Sequence, residues 1–101
     1  MLRRTRYAEI IDAQLDLFVR EHADVLADVA DRLRRYNAAE RDEAEELYGD
    51  YVDAVETGTE ILADLRDNYA QALEEPDRYL AEFNRAVKQR LPEYALEIEN
   101  R

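Results

Sequence analysis

A chain of 101 residues is long enough for one hydrophobic core and too short for two. Apolar residues make up 47% of it, but alanine supplies 15 of those positions, so the core is thin, and the lack of cysteine excludes disulfides, thiolate nucleophiles and zinc-thiolate sites. With 25 acidic against 14 basic residues, a net charge of -11 argues against nucleic acid or an anionic membrane as partner.

The opening Met1-Leu2-Arg3-Arg4-Thr5-Arg6 has the basic character of an export signal's start, but Asp12 and Asp16 interrupt the stretch after it, and no apolar run of spanning length occurs. A cytoplasmic setting is therefore expected. Thirteen of the 14 basic residues are arginine, Lys88 being the single lysine. Acidity, arginine in place of lysine and abundant alanine together resemble the proteins of salt-accumulating halophilic archaea, where concentrated salt screens surface repulsion. Glycine occurs only at 49 and 58 and proline only at 76 and 92, which leaves little material for turns and no alternating strand pattern. The expected fold class is all-α, a single helical domain over residues 1–101.

The first helix is expected over about 7–36. Ile11, Leu15, Phe18, His22, Val25 and Val29 recur at spacings of four and three, with Val19, Leu26 and Leu33 widening the stripe. A turn is expected at 36–38: Asn37 and Glu40 make an N-x-x-E capping box, Arg32, Arg34 and Arg35 suit a helix C-terminus, and Glu40, Asp42 and Glu43 suit an N-terminus. The alternative is one long helix with a shift of register there.

The second helix, about 38–74, would extend roughly 54 Å at 1.5 Å per residue. Its seam runs through Ala44, Tyr48, Tyr51, Val55, Gly58, Leu62, Leu65, Tyr69 and Ala72. Glu74-Glu75-Pro76-Asp77 ends it and opens the third, about 76–99, which carries Leu80, Phe83, Val87 and Leu91 before a kink or restart at Pro92. Short connections make neighbours antiparallel, so the architecture expected is an antiparallel three-helix hairpin bundle. Helix two outreaches its companions. Homodimerisation is the simplest cover for its surplus seam, with Tyr48, Tyr51, Val55, Gly58, Leu62 and Tyr69 as the candidate interface. Gly58 within that seam points to a close helix crossing or a large neighbouring side chain, because glycine inside a helix costs about 1 kcal/mol against alanine.

Residues 40–67 hold 11 acidic side chains against Arg41 and Arg66. Glu46, Asp50, Asp53, Glu56, Glu60 and Asp64, with Asp67 beyond them, recur every three or four residues and form a carboxylate ridge on one face of helix two, a candidate surface for a basic protein partner. The basic residues Arg78, Arg85, Lys88 and Arg90 of helix three are expected to lie beside that ridge or beside a partner's. His22 reads as a core or interface histidine, since no carboxylate stands three or four residues away to share a metal.

Glu45-Glu46-Leu47-Tyr48-Gly49-Asp50 is superficially similar to the second metal motif, Glu-x-x-Asp, of the all-helical nucleotide pyrophosphohydrolases. It departs from that motif in having Leu47 three residues before Asp50 and no Glu-x-x-Glu on a preceding helix. The small helical chorismate mutases share the length and outline but need cationic side chains converging on a dicarboxylate, which helix one does not offer. The function expected is that of a self-associating structural or adaptor module without enzymatic activity and without a cofactor. A helical enzyme using divalent metal on the carboxylate ridge is the alternative.

Overall fold

A computed structural model describes residues 6–101, so the opening segment Met1 to Thr5 lies outside the described residues. All regular structure among these is helical: α1 (Ala8–Glu21), α2 (Ala23–Asn37), α3 (Ala44–Ala70), α4 (Asp77–Arg90), a 3-10 turn (Pro92–Tyr94) and α5 (Ala95–Glu99). No helix is long and apolar enough to cross a membrane among the described residues.

The stripe expected of one first helix is divided between two. At His22 the backbone departs from helical angles (φ -124°, ψ 36°), yet few hydrogen bonds are lost. His22 N–H still reaches the Phe18 carbonyl at 2.9 Å, and its own carbonyl accepts from Val25 and Leu26 at 3.0 and 3.2 Å. The bend lets each half find a different partner. α1 buries Ile11, Leu15 and Phe18, whereas α2 buries only Val29 fully and lies against the first half of α3.

The hairpin between α2 and α3 turns over residues 38–43, later than expected. Asn37 is the last residue of α2 and not the cap of the next helix, because Ala38 N–H continues the ladder to the Arg34 carbonyl at 3.1 Å. Glu43 occupies the N-cap position of α3 without a side-chain cap bond. The arginines do complement the end of α2, where Asp31 pairs with Arg34 and Arg35 at 3.0 Å each.

α3 is the central element. α4 lies antiparallel to its second half, with Tyr79 against Tyr69 (ring centroids 4.7 Å apart) and Asn84 Oδ1 accepting from Arg66 at 3.0 Å. α1 runs parallel to α4, tied by Tyr7 N–H to Glu82 (3.2 Å) at one end and Arg90 to Asp16 (2.7 Å) at the other. Of the basic residues of α4, Arg90 thus meets α1 and Arg78 its own helix, where it pairs with Glu82. None is paired with the ridge of α3 among the described residues.

The last segment does not extend α4. Leu91 turns the chain (φ -134°, ψ 64°), Pro92 opens the 3-10 turn, and α5 doubles back along α3 and α4. Arg66 marks the return, since one guanidinium nitrogen donates to both Asn84 on α4 and the Ile98 carbonyl on α5, each at 3.0 Å. Tyr94 and Ile98, both without solvent exposure, complete the core with Phe18, Leu62, Tyr79, Phe83 and Val87. In place of three long helices, the chain builds a four-part core from α1, the second half of α3, α4 and the returning C-terminal segment. The α2–α3 hairpin projects from it, giving a molecule 50 Å long and 29 by 22 Å across.

Candidate functional site

The seam of helix two is continuous on α3, but its cover changes along its length. Val55, Gly58 and Leu62 are buried within the single chain. At Gly58 the ring of Tyr94 lies directly on the helix: a Cβ added there would meet Tyr94 Cε1 first, then its hydroxyl at 2.6 Å and Cζ at 2.7 Å. The glycine thus accommodates a large neighbouring side chain supplied by the chain itself. Tyr69 is half-buried against Tyr79. The front of the seam stays open, where Tyr48 is 50% exposed, as does Ala72 past its far end. The Tyr48 ring contacts Tyr36 of α2 (centroids 5.2 Å) and half-buried Tyr51 (6.3 Å), forming an aromatic cluster on the projecting hairpin.

Burial raises the pKa of the Tyr79, Tyr94 and Tyr51 hydroxyls. It pushes the Tyr79 hydroxyl up to about 12, partly opposed by the hydrogen bond this hydroxyl donates to Gln14 at 2.8 Å. Tyr94 is also pushed to about 12, by burial first and then by Glu93 and Tyr51. Unlike Tyr79, its hydroxyl is buried with no hydrogen-bond partner among the described residues. Burial also raises Tyr51, with Glu93 and Tyr48 adding to the effect.

The carboxylate ridge faces away from the core. Glu46, Asp53, Glu56, Glu60 and Asp64 are exposed and Asp50 is half-exposed. None of the six forms an ion pair within 4 Å among the described residues; Asp50 and Asp53 act on Arg32, whose proton is held chiefly by Asp28 at 3.0 Å. Asp67 alone on this face is paired, with Arg66 at 2.8 Å. These carboxylates stand on successive turns, and no three His, Asp or Glu side chains among the described residues gather closely enough to hold a metal ion.

His22 sits half-buried at the bend, its ring 5.6 Å from Phe18. It borders a shallow groove between α1 and α3, with Leu17, Phe18, Ile61 and Leu65 as the floor and Glu21, Asp64 and Asn68 on the rim. Sequence reasoning missed this groove and missed Arg66 as a structural centre. The apolar spacing of Tyr94, Ala95 and Ile98 did indicate that the last turns pack, and Tyr94 and Ile98 are buried, but not that Tyr94 lies on Gly58. Arg66 was legible as the one cation among the seam-side positions of helix two, but its partners lie 18 and 32 residues away.

No family model, no curated protein and no solved structure matches this chain.

Proposed function

We propose that this chain works by binding: it is a structural or adaptor module, not an enzyme, and it self-associates as a homodimer through the open front of its tyrosine seam. The observation that carries this reading is Tyr48, half exposed with its ring tilted against those of Tyr36 and Tyr51, beyond the stretch of α3 that the C-terminal segment covers. Tyrosine suits such a place because its ring can be buried while its hydroxyl stays at the wet edge. A two-fold pairing of hairpins would bury the cluster of each copy against the other.

Net charge opposes any such pairing, and on the hairpin only its α2 side has both signs interspersed. There Asp28 pairs with Arg32 and Asp31 with Arg34 and Arg35. Self-association should therefore strengthen as salt screens the remaining repulsion. The same reading assigns the protein to a salt-rich cytoplasm. Light scattering from about 0.1 to 2 M NaCl tests it on the wild type and on Tyr48→Asp. The wild type should become dimeric with rising salt while the variant stays monomeric. A folded wild type that is monomeric throughout at micromolar concentration refutes the dimer.

A further inference from the structure

The groove between α1 and α3 lies on a different face from the tyrosine cluster. On α3 alone, Ile61 is 13 residues from Tyr48, roughly 20 Å at 1.5 Å per residue. We propose that this groove docks a basic amphipathic helix of a partner protein, whose apolar side chains enter the groove while its lysines or arginines lie over the carboxylates beside it. The inference rests on the adaptor reading and names the chemistry of what the adaptor holds.

Three observations lead to it. The floor is apolar and open: Leu17 is 37% exposed, and Ile61 and Leu65 are half-buried across from it. Its volume is about 230 Å³. That falls short of the roughly 300–1,000 Å³ common for drug-sized ligands, and suits a side-chain anchor better than a whole small molecule. Ile10, 36% exposed, stands one heptad before Leu17 on the same helix and extends the apolar strip. An i, i+7 pair of that kind matches the anchor spacing of a helix laid in a groove.

The third observation is charge. Glu21 and Asp64 flank the floor, and Glu60 stands one turn before Asp64 on the ridge. Glu21 has only a distant pair with Arg20 at 4.0 Å, and Glu60 and Asp64 have no ion pair among the described residues. An apolar floor edged by uncompensated carboxylates selects a partner carrying the opposite charge beside its apolar residues. A second copy fits poorly. Two-fold symmetry would set this face against itself, bringing Glu21, Glu60 and Asp64 against their own equivalents on a molecule of net charge -11.

The probe is a fluorescent synthetic helical peptide with leucines at i, i+3, i+4 and i+7 and lysines elsewhere. A peptide of the same composition, scrambled to remove its apolar face, is the control. Binding is followed by anisotropy against the full chain, and repeated in Tyr48→Asp so that loss of the proposed dimer does not affect the result. The amphipathic peptide should bind at least about tenfold more tightly than the scrambled one. Leu17→Glu, at an exposed position that leaves the core intact, should remove most of that difference. Glu60→Lys with Asp64→Lys should weaken binding and flatten its salt dependence. Equal affinity for the two peptides would mean attraction to the acidic face alone and would overturn the proposal. So would binding indifferent to Leu17→Glu, or a Leu17→Glu variant whose only change is its oligomeric state.

Discussion

Gly58→Ala tests the central packing relation of the fold, because two known effects act on it with opposite sign. Replacing a glycine inside a helix by alanine is favourable by about 1 kcal/mol from backbone entropy alone. Against that, the new methyl carbon would sit at 2.6 Å from the Tyr94 hydroxyl and 2.7 Å from Cζ, with Cε1 closer still. The ring cannot swing aside cheaply. Tyr94 has no solvent exposure, and the edge-on contact of its ring with Phe18, at 5.9 Å between centroids, fixes its other side. Overpacking of this kind costs about 1–3 kcal/mol and exceeds the propensity gain.

The expected net result is a loss of up to about 2 kcal/mol, read as a fall in Tm of up to about 16 °C for a domain of this size. Urea denaturation at fixed salt measures it directly. A thermodynamic cycle with Tyr94→Leu separates the two effects, since without the ring the same Gly58→Ala change should stabilise by up to about 1 kcal/mol. If Gly58→Ala stabilises the wild-type chain, or acts equally in both backgrounds, the close approach of Tyr94 is wrong and with it the return of the C-terminal segment over α3.

Three further outcomes are expected. Arg66→Met should destabilise by about 2–3 kcal/mol, because the buried guanidinium holds Asn84 and the Ile98 carbonyl and its loss leaves both unpaired; faster amide exchange in α5 is the local sign, and unchanged exchange there would count against the clamp. Stability should fall as pH rises from about 10 to 12, since Tyr79 and Tyr94 ionise at about 12 in the folded chain but near the ordinary value of about 10 once unfolded. The folded state then holds more protons in that window, and the effect should shrink in Tyr94→Phe; a urea midpoint flat across it refutes the burial of these hydroxyls. Stability should also rise between about 0.1 and 2 M NaCl as the unpaired ridge is screened, and a flat or falling midpoint would show that its carboxylates do not strain the helix.

Periodicity was a good guide to which residues are buried and a poor one to where the axes bend. Ile11, Leu15, Phe18, Val29, Val55, Leu62, Phe83 and Val87 all lie on expected stripes and are all buried. The bend at His22 left no mark because it needs no glycine or proline. The local hydrogen bonds tolerate it, and α1 packs on α4 while α2 packs on α3, information held far away in sequence. Pro92 did signal a restart, but not its direction. The reversal depends on Tyr94 finding a glycine and on Ile98 finding Arg66, contacts that no local window contains.

The candidate surfaces divide along the same line. The ridge was legible because charge spacing on one helix is local, and so was the tyrosine seam. How much of that seam is free was not, because freedom is a property of what covers it. A thin core explains the outcome: with few large aliphatic side chains to spare, the chain fills its interior with tyrosine rings, which are big enough to do so but bring hydroxyls that need partners. Tyr79 finds one in Gln14, and Tyr94 does not. Covering Gly58 with Tyr94 therefore leaves a buried polar group unsatisfied, a cost of about 1–3 kcal/mol that is tolerable because the same residue seals the seam against solvent. Before the point where the returning segment begins to cover α3, Tyr48 is the same kind of residue on the same helix without that seal, and the proposed pairing of hairpins would supply it from a second copy.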